Sequence, residues 1–267
     1  MILLLLAVLQ EVDRMTIRPP TPEEIRKIEA AAPDVRLPAS KKVLVLGHRP
    51  SHFPVAFCEV AVQALAKKSG AFEAVVSDDP AMLEKLAEFD VLLVNNWHGW
   101  DPFKGNVEVR RKAVLDFVAG GKGLVGIHAA AVGLNDWKEW GELIGGRYQA
   151  LPYFEADVEV FPHALTTSFG GKGLRLADEF YEMKEPYDRS KLQLLMAVDM
   201  ARMKDVAKSS KYGKLTRTDG DYGLAWTKPY GKGRVFYCGL GHYETTYMDP
   251  AMMRFFLDGI RWTALAK

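Results

Sequence analysis

The sequence has few cysteines, almost no net charge and no long apolar run, and each absence excludes a class of protein. Its 267 residues include two cysteines, which are too few for a disulfide scaffold. The formal net charge is +1, and no run of basic residues interleaved with aromatic residues occurs, so no nucleic-acid partner is predicted. A composition with 48% hydrophobic and 26% charged residues is instead typical of an ordinary globular protein with a buried core.

An apolar run, Ile2 to Leu9, stands near the start of the chain and is far too short to span a bilayer. It has the character of a signal-peptide core without a basic segment before it. We interpret it as the remnant of an export signal, which predicts a periplasmic or extracellular protein. The alternative is a short N-terminal helix packed on the domain, as in a cytoplasmic protein.

Residues 1–41 are predicted to form a leader, and residues 42–267 a single domain. Within the leader, Thr21 is a suitable N-cap for a helix from about Pro22 to Ala31, which a proline-rich linker follows. No chemistry is expected of the leader.

Short apolar strands alternate with helices from Lys42 onward. Strands are predicted over 42–47, 72–76, 91–94 and 124–127, with helices over 54–68, 80–87 and 107–119 between them. This alternation predicts an α/β fold, in which a mostly parallel sheet carries helices on both faces. Strands with short connections in the second half predict additional antiparallel pairs.

The stretch from Gly120 to Ala130 combines a helix end, a glycine turn, a short apolar strand and then His128 between small residues. In open parallel sheets, ligands bind beyond the carboxyl ends of the strands. An isolated histidine is more often structural than functional, but this position favours a functional role for His128.

All six histidines lie near predicted strand ends or in loops, which predicts a histidine-lined pocket for acid–base chemistry or for a divalent metal such as zinc. The six are His48, His52, His98, His128, His163 and His242. Their spacing is not diagnostic of a metal, and the pair His48 and His52 straddles Pro50 and cannot lie on one helix. The metal candidates are His48, His128 and His242. The alternative is that several histidines are surface residues without a role.

Acidic residues accompany two of these segments. Asp178 and Glu179 precede Tyr181, and Glu244 follows His242 by two residues, so that Glu244 can orient His242. The alternative for Glu244 is a capping or surface acid. Three Gly-Lys-Gly segments precede strands, and no Gly-x-Gly-x-x-Gly opens a helix, so no nucleotide cofactor is predicted.

Together these segments resemble the ThuA-like (trehalose utilisation) family, which has the flavodoxin-like fold of the class I glutamine amidotransferases. The resemblance runs from about Lys42 to Ala264 and is carried by residues 70–79, 89–96, 120–130, 178–181 and 230–242. In the amidotransferases, a cysteine nucleophile follows the strand that His128 follows here, and a His-x-Glu pair completes the triad. His128 has no thiol or hydroxyl beside it, so the chain is not predicted to be a glutaminase.

The resemblance implies a carbohydrate-utilisation enzyme that acts on an oxidised (3-keto) disaccharide or glycoside by hydrolysis, elimination or isomerisation. His128 and His242 are the candidate catalytic base and acid. The predicted substrate contacts are His48, Asn96, His98, His163, Glu179, Tyr181 and Glu244. A non-catalytic sugar-binding or accessory protein is the alternative, and a homo-oligomer is compatible with both.

The sequence also departs from the family pattern. An acidic residue typically follows the His-Ala-Ala segment in the family, where this chain has Ala131-Val132-Gly133. This departure implies an altered activity. The enzyme hypothesis requires His128, His242 and a third histidine to converge within roughly 8 Å, close enough to share one ligand.

Overall fold

The computed structural model describes residues 17–38, 41–150, 153–203 and 216–265, so the apolar run of residues 2–9 lies outside the described residues. The leader helix α1 (Pro22–Ala31) has the predicted bounds and starts at a capping box, in which Thr21 and Glu24 exchange hydrogen bonds. Its Ile28 is fully buried. Within the described ranges, no helix combines the length and the apolar character that a membrane span requires.

Eleven strands and five further α-helices follow the leader in the described residues. The strands are β1 (Lys41–Leu46), β2 (Phe72–Ser77), β3 (Val91–Asn95), β4 (Gly123–Ile127), β5 (Arg147–Ala150), β6 (Tyr153–Val160), β7 (Leu174–Glu179), β8 (Glu182–Lys184), β9 (Gln193–Val198), β10 (Gly223–Tyr230) and β11 (Gly233–Cys238). The helices are α2 (Val55–Ser69), α3 (Val107–Ala119), α4 (Lys138–Ile144), α5 (Glu244–Met248) and α6 (Pro250–Ala264).

Nine of these strands form one mixed sheet in the order β2-β1-β3-β4-β11-β10-β9-β6-β7. The first five strands in this order are parallel, and each later neighbour pairs antiparallel. Four antiparallel steps separate β11 from β7, so β7 runs in the same direction as β4 and β11. The carboxyl ends of β1, β3, β4, β11 and β7 therefore lie at the same edge of the sheet.

The sheet separates two apolar clusters, and alternate residues of β1 belong to one cluster or the other. Val43 and Val45 belong to the cluster under α1, α2 and α6, whereas Leu44 and Leu46 belong to the cluster under α3 and α4. Successive side chains of a strand point to opposite faces, so a strand covered on both sides must be apolar throughout. The predicted α/β class with helices on both faces is confirmed.

Two local predictions differ from the structure. The helix expected over 80–87 is a 3-10 segment (Pro80–Glu88), which Lys85 interrupts with non-helical backbone angles. The strands β5 and β8 were not predicted, and they pair as a separate two-stranded sheet. Both are short and largely polar, so neither shows the alternating or continuous apolar pattern that marks a strand in sequence.

Candidate functional site

His128 follows β4 directly and has a left-handed backbone, with φ 47°. Residues other than glycine adopt this conformation rarely, and such strain concentrates at functional sites. The Tyr237 hydroxyl stabilises this turn by donating a hydrogen bond to the His128 carbonyl oxygen at 2.9 Å. The His128 side chain is fully buried, with 0% of its surface exposed.

The two ring nitrogens of His128 have different partners. Nδ1 lies 2.8 Å from the Gly239 carbonyl oxygen, which can only accept, so Nδ1 carries a proton. Nε2 lies 2.7 Å from the Tyr181 hydroxyl and 3.2 Å from Glu179 Oε2. The Gly239 contact therefore leaves Nε2 as the nitrogen available for chemistry.

His242 meets the same carboxylate. Its Nδ1 lies 3.1 Å from Glu179 Oε2 and 3.3 Å from His128 Nε2, so Glu179 lies between two imidazoles. Its Nε2 is buried and has no hydrogen-bond partner among the residues that the structure describes. Asp178 holds this loop in place by accepting the backbone N–H groups of Gly241 and His242 at 2.9 and 3.0 Å.

His52 is a third histidine of the cluster and comes from the loop after β1. Its ring stacks on that of His128, with centroids 5.7 Å apart and planes 9° apart, and lies 5.3 Å from that of His242. His98 contacts His52 edge-on at 4.9 Å. The Nδ1 of His52 is buried and, within the described part of the chain, also lacks a hydrogen-bond partner.

The surroundings shift the pKa values of His52 and His128 in opposite directions. Burial lowers the pKa of His52 to about 2, and the neighbouring His128 and His242 act in the same direction. Burial also opposes a charge on His128, but the hydrogen bond and negative charge of Glu179 outweigh it and raise the pKa of His128.

The pKa of Glu179 responds in the opposite direction. Burial disfavours its charge, but hydrogen bonds from His128 and His242 hold the pKa of Glu179 well below its usual range. Burial lowers the pKa of His98. The site therefore combines an ionised carboxylate, a readily protonated His128 and two histidines that stay neutral.

A cavity of about 400 Å³ lies beside the cluster, within the range of roughly 300–1,000 Å³ that is usual for small-molecule sites. Tyr148 of β5 is on its wall and contacts Tyr181 edge-on, with ring centroids 5.6 Å apart. The lining residues are Ile17, Ser51, His52, Phe53, His98, Val132, Tyr148, Glu179, Tyr181 and His242.

The structure brings five of the sequence-predicted site residues together: His98, Glu179, Tyr181 and His242 line this cavity, and the fully buried His128 contacts Tyr181 and Glu179. It does not place His48 there: the His48 ring stacks on Trp100 and lies 3.9 Å from Asp78. The position expected for His48 in the cluster is occupied by His52.

The three other predicted contacts have different surroundings. His163 is the N-cap of a 3-10 segment (Ala164–Phe169), where its Nδ1 accepts the N–H of Leu165 at 3.2 Å. Asn96 is buried, has φ 55° and donates to the side chain of Asn95. Glu244 begins α5, and the carboxylate 3.1 Å from His242 Nδ1 is that of Glu179.

Sequence reasoning named His52 among the six histidines but did not select it as a site residue, and it missed Tyr148. The signal for His52 was its position in the loop between the carboxyl end of β1 and α2, which matters more than its spacing from His48. Tyr148 lies on the unpredicted strand β5 and had no comparable signal.

Four groups of the cluster can hold a divalent metal. One ligand atom from each of His52, His128, Glu179 and His242 lies within 4.8 Å of the others. Imidazole nitrogens with one carboxylate oxygen are a zinc-type donor set, and the Gly239 carbonyl on His128 Nδ1 is the outer hydrogen bond that such ligands usually make.

Comparison with known proteins agrees with the fold and the earlier resemblance. The chain is similar to the crystal structure of a ThuA-like protein from Bacteroides uniformis ATCC 8492, with 20% identity and a TM-score of 0.65 over 87% of this chain and 92% of that chain. For a ThuA-like protein from Parabacteroides merdae ATCC 43184, the identity is 17% and the TM-score 0.59, over 86% of this chain and 91% of that chain.

No curated protein matches the sequence. The sequence model of the ThuA family, described as trehalose utilisation, matches residues 42–263. This match covers the sheet except for its first residue, Lys41, and includes every residue of the histidine cluster, and the chain therefore belongs to the ThuA family, with a role in carbohydrate utilisation.

Proposed function

We propose that this chain is an enzyme that removes the C2 proton of an oxidised (3-keto) disaccharide or glycoside. Membership of the ThuA family supports a carbohydrate substrate. The observation that carries the proposal is the position of the Glu179 carboxylate, 3.2 Å from His128 Nε2 and 3.1 Å from His242 Nδ1, beside a cavity of suitable size. A bridged pair of imidazoles can supply an acid and a base to one substrate.

The base in this proposal is His242. When its Nδ1 donates to Glu179, its Nε2 carries the lone pair, and this nitrogen is the one without a hydrogen-bond partner among the described residues. A ketone at C3 acidifies the neighbouring C2–H bond. Breaking this bond transfers the proton to Nε2 and leaves the negative charge on the oxygen at C3.

The acid is His128, acting with Tyr181. Glu179 raises the pKa of His128, and the Tyr181 hydroxyl lies 2.7 Å from its Nε2, so a proton can pass from the imidazolium through the hydroxyl to the oxygen at C3. As the C1–O bond breaks, C1=C2 and C3=O double bonds form, the enol proton returns through Tyr181 to His128, and the proton on His242 Nε2 goes to the leaving oxygen. Alternatively, C2 takes a proton from solvent on its opposite face while the enol proton returns to His128, which gives the C2 epimer. The first path is elimination, which hydration completes to hydrolysis, and the second is isomerisation.

The cluster also fits a divalent metal such as zinc, which would polarise the ketone. In that arrangement His52, His128, Glu179 and His242 would be the ligands, and His98 would be the neutral histidine at the cavity that takes the proton. Elemental analysis distinguishes the two arrangements, since one equivalent of metal per chain supports ligation and none supports acid–base chemistry alone. A metal that His52→Gln does not release would argue against this site.

The test of the function is deuterium exchange at C2 of 3-keto-trehalose in D₂O, followed by NMR together with product formation. Replacing His128 by glutamine should slow enzyme-dependent exchange by about 10²- to 10⁴-fold, the usual contribution of a general acid or base. His163→Gln is the matched control and should exchange at the wild-type rate. Equal rates with and without wild-type enzyme would refute the proposal, and binding of the sugar without exchange would support an accessory, sugar-binding role.

A further inference from the structure

Four carbon-rich residues of the cavity lining have no part in the chemistry proposed above. They are Ile17 in the leader, Phe53 before α2, Val132 after β4 and Tyr148 on β5. Hydroxyl groups of a sugar need hydrogen-bonding partners when they are buried, and the side chains of isoleucine, phenylalanine and valine offer none. These residues therefore suit an apolar group better than a second sugar ring.

Ile17 is the unusual member of these four residues. Half of it is exposed (50%), which is uncommon among the large hydrophobic residues of the described chain. A single exposed isoleucine is ordinary, but this one lines the same cavity as three other carbon-rich side chains. Several apolar residues lining a cavity beside a reactive cluster indicate a place for an apolar group of a ligand.

The neighbouring Arg18 fixes Ile17 at the cavity. Its guanidinium donates two hydrogen bonds to the carboxylate of Glu24, at 2.8 and 2.7 Å, and lies over the ring of Phe57 at 5.4 Å. The hydrogen bond from Arg18 lowers the pKa of Glu24 to about 2 against the opposing effect of burial. The segment that precedes α1 is thus attached to both α1 and α2 one residue away from Ile17.

We propose that Ile17, Phe53, Val132 and Tyr148 form an apolar subsite for the group attached to C1 of the sugar. The ligand class that fits is a glycoside with an aromatic or other apolar aglycone. Arg18 is a positioning residue for this subsite, because it holds Ile17 in place. The inference rests on the proposed function, since it assigns the remainder of the molecule on which the histidine cluster would act.

The test compares two probes, the methyl and 4-nitrophenyl glucosides oxidised at C3, in calorimetric binding to the full chain. The nitrophenyl compound should bind about tenfold more tightly than the methyl compound, because its ring is removed from water. In Ile17→Ser and in Arg18→Ala this advantage should fall to about threefold or less, with the dissociation constant of the methyl compound unchanged. The ratio of the two constants reports the subsite, since a loss of folded protein would affect both probes equally.

The matched control is Val109→Ser, because Val109 lies on α3 and is 52% exposed, close to the exposure of Ile17. Val109→Ser should retain the tenfold ratio between the two dissociation constants. Arg18→Lys should show a ratio between those of Arg18→Ala and the wild type, because a lysine keeps the charge without the two-point contact to Glu24.

Binding and C2 exchange separate the two hypotheses. Turnover without a nitrophenyl advantage would overturn the subsite and leave the proposed function standing. A nitrophenyl advantage that depends on Ile17, without exchange, would overturn the proposed function and leave the subsite standing. Failure of both probes to bind would overturn both.

Discussion

Replacement of Asp178 by asparagine tests how the loop that carries His242 is held in position. Asp178 is completely buried, with 0% of its surface exposed. Its Oδ1 accepts the N–H groups of Glu179 and His242 at 2.8 and 3.0 Å, and its Oδ2 accepts that of Gly241 at 2.9 Å. Asparagine has nearly the same shape but only one oxygen, so one of these two acceptor positions becomes an NH₂ group.

The expected loss of stability follows from the buried hydrogen-bonding groups that are left without partners. With the oxygen kept toward Glu179 and His242, the new NH₂ faces the N–H of Gly241, and two buried donors oppose each other. An unsatisfied buried group costs about 1–3 kcal/mol, so the variant should lose about 3 kcal/mol of unfolding free energy. For a chain of this size, that loss corresponds to a fall in Tm of about 6–12 °C.

Urea unfolding measures the free energy, and hydrogen exchange of the Gly241 and His242 amides shows whether the loop is released. Asp188→Asn is the matched control, because Asp188 caps an exposed 3-10 turn and asparagine caps equally well. The control should change stability by less than about 0.5 kcal/mol. A loss below about 1 kcal/mol for Asp178→Asn, with amide protection unchanged, would refute the reasoning.

Three further predictions concern the cluster and its support. Tyr181→Phe removes the hydroxyl 2.7 Å from His128 Nε2 and should slow C2 exchange about 100-fold with little change in KM, as steady-state kinetics would show. His128 must be protonated to act as the acid, so the rate of exchange should fall as pH rises through its raised pKa. In Glu179→Gln, a pH–rate profile should show this fall at lower pH, because the negative charge that raises the pKa of His128 is gone. Gly133→Ala should cost at least about 3 kcal/mol in chemical denaturation, since a Cβ there would lie 1.5 Å from the Trp97 carbonyl oxygen.

The sequence carried enough information to predict the parallel half of the sheet. Strands such as β1 are buried on both faces, so every residue from Val43 to Leu46 must be apolar, and the pattern is local. His128 was predicted for a similar reason, because a strand end bordered by glycine and alanine is visible within ten residues. The short polar strand β5 carries no such pattern, so neither the strand nor its site residue Tyr148 was predicted.

The partners of His128 could not be predicted from local patterns. Glu179 reaches it because β7 ends at the same edge as β4, and that follows only once four antiparallel steps are known. His163 shows the opposite case, because its sequence surroundings resemble those of the other loop histidines. Its backbone conformation makes it a cap, and backbone angles in loops are set by contacts that the sequence does not display.

The contacts of Arg18 with Glu24 and Phe57 have a practical consequence for work with this protein. A recombinant form that begins at Lys42, where the family match starts, would lack Ile17 and the whole of α1. It would expose the apolar surface that Ile28 covers and open the cavity on one side. Measurements on such a shortened form would describe a differently lined cavity, so the first residue chosen for expression is itself an experimental variable.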